Sequence, residues 1–108
     1  MDAWELTEIE ARRVAGERLY EEFLSVTDLS VGLYVLEAGG IDPQSPHTED
    51  EVYYVIAGRA VVTVGAEDRP IEPGSVVFVP AREPHRFHDI TERLELLVAF
   101  GPAEGSRR

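Results

Sequence analysis

At 108 residues the chain has the length of one domain, near the lower end of what supports a core unaided, so some apolar surface is expected to meet a second copy. Twenty-one acidic residues against ten basic ones, all arginine, give a formal charge of -11, which repels phosphate backbones and anionic lipid and excludes nucleic acid and membrane surfaces as partners. No run of about 18 apolar residues offers a membrane span, and the lack of cysteine rules out disulfides and thiolate metal sites, leaving His, Asp, Glu and water as metal donors.

The opening Met-Asp-Ala-Trp-Glu-Leu lacks the basic-then-apolar order of a signal peptide, so a cytoplasmic protein is expected. Thr7-Glu8-Ile9-Glu10 has the capping-box pattern, with Thr7 as N-cap and Glu10 three residues on. It predicts a short helix from Glu8 to Ala15 that stops near Gly16. Ile9 and Val14, with Trp4 and Leu6 before the cap, give this N-terminal segment (1–17) one apolar side for packing on the rest of the chain. From Arg18 the pattern changes to short Val-, Leu-, Tyr- and Phe-rich runs broken by Gly, Pro and Asp, the rhythm of antiparallel β structure. Strands are predicted at 18–25, 29–38, 51–57, 60–65, 69–72, 75–79, 85–90 and 94–100. Turns are predicted at Thr27-Asp28, Gly39 to Pro46, Gly58-Arg59, Ala66 to Asp68, Glu72-Pro73-Gly74 and Thr91-Glu92. About eight strands within 18–101 mean an all-β sandwich or barrel, and the tail 102–108 reads as loose. Two of the strands, 51–57 and 94–100, are apolar at both parities and need cover outside as well as inside, which points to the helix and to a homodimer.

Strand side chains alternate, so Ser45, His47, Glu51, Tyr53 and Val55 share parity, and so do His85, Phe87 and Asp89. If Glu51 points inward, Tyr53 and Val55 follow it, and two imidazoles and one carboxylate can meet inside the barrel. His88 has the opposite parity and reads as a surface or interface residue. Glu49 and Asp50 read as surface charges. Pro43, Pro46 and Pro84 restrict the backbone around both histidines and favour a preformed site.

The frame Gly39, five residues, Ser45, Pro46, His47, three residues, Glu51, six residues, Gly58 resembles the first motif of the cupin superfamily, G-x5-H-x-H-x3-4-E-x6-G. The frame Gly74, five residues, Pro80, Ala81, Arg82, two residues, His85, three residues, Asp89 resembles the second, G-x5-P-x-G-x2-H-x3-N. Ser45 stands where the first His would be, Arg82 where a Gly would be and Asp89 where an Asn would be. The resemblance implies a cupin-type jelly-roll barrel with one divalent transition metal (Fe, Mn, Zn, Ni or Co) held by His47, Glu51 and His85. Ser45, whose hydroxyl is a weak ligand, is expected to hold a metal-bound water, and Tyr53, Val55 and Phe87 to line a mainly apolar pocket for a small molecule. Arg82 is expected to make its turn at negative φ. The function implied is that of a small metal-dependent enzyme of oxygenase or isomerase type. The alternative is a non-catalytic cupin that binds or senses a small molecule, with a structural metal or none.

Overall fold

The computed structural model describes residues 1–106; residues 107 and 108 of the expected tail lie outside the described residues. One helix, α1 (Leu6–Ala15), precedes six strands: β1 (Tyr20–Val26), β2 (Leu29–Leu36), β3 (Asp50–Val64), β4 (Glu67–Ile71), β5 (Val76–Val79) and β6 (His85–Gly101). All pairings are antiparallel, in the order β1-β2-β6-β3-β4, with β5 pairing the first part of β3 and β4 its last part. No helix among the described residues is long and apolar enough to cross a membrane.

The architecture is the expected jelly roll, but two pairs of predicted strands are each one long strand. Residues 51–57 and 60–65 belong to β3, and 85–90 and 94–100 belong to β6. Gly58-Arg59 is not a turn. It lies in a run of register shifts between Val55 and Val61 where β3 bends while staying paired with β6. Gly58 has φ +95°, and a Cβ there would stand 2.2 Å from the Arg93 carbonyl oxygen, so only glycine lets the two backbones approach. Through the bend the buried parity moves from Glu51, Tyr53 and Val55 to Ala60 and Val62. A matching change occurs in β6, where Asp89, at φ +49°, turns out to solvent and Ile90 takes the inward place. Asp89 therefore does not share the inner face of His85 and Phe87.

This bend positions the site. His85 pairs with Val64 at one end of the β3–β6 ribbon, and Glu51 pairs with Phe100 at the other. Because the ribbon folds over itself, the inner faces of its two ends meet across the core. Tyr53 and Phe87 touch edge to face with ring centroids 4.9 Å apart, within a core that includes Leu36, Val55, Leu94 and Leu96.

The helix starts at Leu6, one position before the expected N-cap, and the cap residue Glu5 makes no side-chain capping bond. Glu10, the other half of the expected box, is drawn instead to Arg13 and to Arg93 of β6, which also binds Glu37 and Glu95. Ile9 is buried against Leu33 and Val35, with Trp4 stacked edge to face on Phe23, so the segment clips onto one part of the sheet's outer face. Elsewhere on that face Val52, Tyr54, Val76 and Phe78 are exposed. The tail is not loose through residue 106. Ala103 is buried, and the Glu104 backbone N–H donates to Ser30 Oγ at 2.8 Å.

Candidate metal centre

Three side chains of the metal-ligating types converge. His47, Glu51 and His85 each offer a ligand atom, and these atoms lie within 4.8 Å of one another. Glu51 and His85 come from the two ends of the folded ribbon, and their side chains are 1% and 0% exposed. His47 comes from the loop ahead of β3. The turn before β6 holds this loop directly: the Arg82 N–H donates to the His47 carbonyl at 2.6 Å, and the Ala81 N–H to Asp50 Oδ1 at 2.8 Å. Arg82 makes this turn at φ +67°, against the expected negative value, so the left-handed glycine conformation is kept by a residue that pays for its Cβ.

The imidazole of His85 is fixed in tautomer. Its Nδ1 lies 2.9 Å from the Glu83 carbonyl oxygen, which can only accept, so Nδ1 carries the proton and Nε2 turns a lone pair inward when the ring is neutral. Nε2 is 3.0 Å from Glu51 Oε1, an ion-pair distance, yet among the described residues neither Glu51 oxygen accepts a well-formed hydrogen bond. Burial pulls the His85 pKa down, but Glu51, the Glu83 carbonyl and Asp42 outweigh it and hold the pKa above the ordinary value. For His47, Glu104 Oε2 lies 3.4 Å from Nδ1, and Phe100 meets the ring edge to face at 4.9 Å. An element read as a tail thus supplies a carboxylate that orients a candidate ligand.

A fully buried carboxyl group with poor hydrogen bonding beside two imidazoles suits a divalent cation. Two His and one carboxylate fit Zn, Fe, Mn, Ni or Co by donor type and do not discriminate among them.

Ser45 does not take part in the way its place in the motif suggests. It is exposed and does not line the cavity, whereas its neighbour Gln44 turns inward. Gln44 Oε1 accepts from the Tyr53 hydroxyl at 3.0 Å and lies 3.3 Å from His85 Nε2. Tyr53 lies at the site and also lines the cavity, while Val55 and Phe87 are buried core behind it. Glu49, read as a surface charge, is fully buried, with one carboxyl oxygen bonded to Thr48 Oγ1. His88 points elsewhere, to Thr63 Oγ1 at 2.7 Å and Asp89 at 3.1 Å, as its parity indicated.

A cavity of about 250 Å³ opens beside these donors, bounded by Gln44, His47 and Tyr53 on the site's side and by Tyr20, Tyr34 and Glu104 among others. Burial drives the phenol pKa of Tyr20, Tyr34 and Tyr53 far up, with the Asp42 hydrogen bond adding at Tyr34 and the Glu51 charge at Tyr53. All three stay protonated and can donate. Tyr20 Oη is buried and, among the described residues, has no hydrogen-bond partner.

A family profile described as "Cupin domain" matches residues 32–100, a stretch containing both motif frames and all three candidate ligands. The chain belongs to the cupin family. This cupin is 51% identical over 104 residues to an uncharacterized protein of Streptomyces coelicolor, an alignment covering 96% of this chain and 99% of that one. Among solved structures it is similar to a protein from Thermus thermophilus, with a TM-score of 0.73 and 25% identity over 94% of this chain and 98% of that one. It is also similar to the DMSP lyase DddQ from Ruegeria pomeroyi, with a TM-score of 0.68 and 22% identity over 79% of this chain and 48% of that one. At that identity the likeness speaks for the fold alone.

In this cupin the motif frames located the two histidines and Glu51 but not Gln44, Asp42, Tyr20 or Glu104. Asp42 had a local signal, since Asp-Pro initiates turns, and its carboxylate does bind the N–H two residues on, that of Gln44, at 3.2 Å. Nothing local marks Glu104, whose role depends on where the chain returns after β6.

Proposed function

We propose that this cupin binds one divalent transition metal through His47, Glu51 and His85 and is a metal-dependent enzyme acting on a small molecule held in the adjoining cavity. The observation that carries this reading is Glu51, whose buried carboxyl oxygens lack well-formed hydrogen bonds while facing, at 3.0 Å, the His85 nitrogen that is free to bind a cation when the ring is neutral. Such a group costs stability unless a cation completes it.

A metal there would supply Lewis acidity, or a binding position for dioxygen if it is iron. The chain's own groups do the rest. Tyr53 and Tyr20 present phenolic donors to whatever enters, and Val98, Phe100 and Leu19 supply apolar walls. The class of molecule that fits is small and mainly apolar, with an oxygen acceptor to meet those donors. Oxygenase and isomerase chemistry both suit this arrangement.

The test is metal analysis of protein purified without chelator, beside a His47→Ala, His85→Ala double variant. About one equivalent in the native chain and near zero in the variant is expected. Equal, near-zero content in both would overturn the proposal.

A further inference from the structure

We propose that the side-chain amide oxygen of Gln44 is the fourth protein donor of the metal site, held in place by Asp42. This rests on the metal reading above and extends it to a residue outside the motif frame.

The orientation of the amide follows from its partners. Gln44 Nε2 donates to Asp42 Oδ2 at 2.7 Å, and an ionised carboxylate can only accept. The other end of the amide is therefore oxygen, and it faces His85 and Tyr53. Asp42 is itself tied down on every side. Its Oδ1 accepts from the Tyr34 hydroxyl at 2.6 Å and the Gln44 backbone N–H at 3.2 Å, and its Oδ2 also accepts from the Phe87 N–H at 2.9 Å. That last bond reaches the strand that carries His85, so Gln44 and His85 are set relative to each other through one carboxylate.

The spacing is that of ligands on one ion. Two donors each about 2.1 Å from a metal stand about 3.0 Å apart at octahedral angles and about 3.4 Å apart at tetrahedral ones. Gln44 Oε1 is 3.3 Å from His85 Nε2, and His85 Nε2 is 3.0 Å from Glu51 Oε1. The donor types agree. With Nδ1 of neutral His85 donating to Glu83, the atoms that converge are His85 Nε2, Gln44 Oε1 and the Glu51 oxygens, all lone-pair bearers. The Tyr53 hydroxyl, 3.0 Å from Gln44 Oε1 and 3.1 Å from His85 Nε2, can donate to one of them. A carboxamide oxygen is a harder donor than the imidazole that the family motif would place at position 45, which favours oxygen-preferring ions such as Mn(II) over softer ones.

Cobalt(II) serves as the probe. The full chain, freed of metal with chelator, is titrated by calorimetry and by visible absorption in native form and as Gln44→Ala, Gln44→Glu, Ser45→Ala and Asp42→Asn. Gln44→Ala should bind about 10-fold or more weakly with shifted Co(II) bands, and Gln44→Glu, which keeps an oxygen donor but sets its other oxygen against Asp42 Oδ2, should recover the affinity in part. Ser45→Ala should match the native chain. Asp42→Asn, a positioning change, should weaken binding while leaving the band positions near native. If Gln44→Ala keeps native affinity and spectrum while His47→Ala abolishes binding, Gln44 is not a ligand and the three-residue site stands. If the native chain binds no Co(II), both proposals fall.

Discussion

Glu51→Gln separates a metal site from a structural ion pair. Once pH has risen past the raised folded value of His85, its Nε2 lone pair faces Glu51 Oε1 at 3.0 Å, so two acceptors oppose each other in a buried site. A buried polar group left unsatisfied costs about 1–3 kcal/mol. Glutamine keeps the shape, removes the charge and offers an N–H to His85 Nε2. Above that pH the metal-free variant should therefore be more stable than native by about 1–2 kcal/mol, which for a domain of this length raises Tm by roughly 4–9 °C. With metal the order should reverse. At a free concentration of 100 times the native Kd, the native chain gains about 2.7 kcal/mol, whereas a variant binding about 100-fold more weakly gains about 0.4 kcal/mol. Differential scanning calorimetry with chelator and then with Zn(II) or Mn(II) reads both halves. A metal-free variant destabilised by more than about 1 kcal/mol, with native metal response, would show that Glu51 serves the fold as a partner of His85.

The same pair predicts opposite pH trends with and without metal. The folded chain holds the His85 proton more tightly than the unfolded chain, so this contribution to metal-free stability is complete below about pH 6.5 and is lost as pH rises through the folded value. Metal requires neutral imidazoles, so occupancy should fall on acidification, and occupancy unchanged from about pH 8 to pH 5 would argue against His ligation. Arg82→Gly relieves a Cβ held at φ +67° and should stabilise the chain by about 0.5–1 kcal/mol in urea titrations; a loss would mean that the side chain itself holds the turn. Gly58→Ala places a Cβ 2.2 Å from the Arg93 carbonyl oxygen in the ribbon's bend and should cost about 3 kcal/mol or more together with metal binding, so a variant of native stability would refute the role given to the bend. The homodimer expected from sequence would pair the outer face bearing Val52, Tyr54, Val76 and Phe78 and should be lost in Phe78→Glu by sedimentation; a native chain that sediments as a monomer would remove that expectation.

Much of the site was legible because its residues sit in short frames whose glycines and prolines have local conformational meaning. Parity alone sent Tyr53, Val55 and Phe87 inward, and all three are buried. It failed at Asp89, where a left-handed residue in β6 reverses the inward face, a change that counting along a strand does not reveal. The bend in β3 looks like a turn in sequence for a related reason. Gly58 signals a break in regular pairing, but whether the chain reverses there or folds over depends on the partner strand, here the close approach of Arg93. The capping box failed because Glu10 found stronger partners in two arginines, one of them from β6. Gln44 and Glu104 act through contacts with distant parts of the chain. Asp42 fixes Gln44 by joining residues from β2 and β6, and Glu104 reaches His47 only after the chain has closed past β6.

An X-ray structure of protein purified without chelator, with anomalous data collected on both sides of the edge of the metal found by fluorescence, bears on the site at once. A single anomalous peak bounded by His47, Glu51 and His85, with the Gln44 oxygen within bonding distance, is the predicted result. Electron density with no peak there, in protein shown to be folded and supplied with Mn(II), Fe(II), Zn(II), Ni(II) and Co(II), would contradict it.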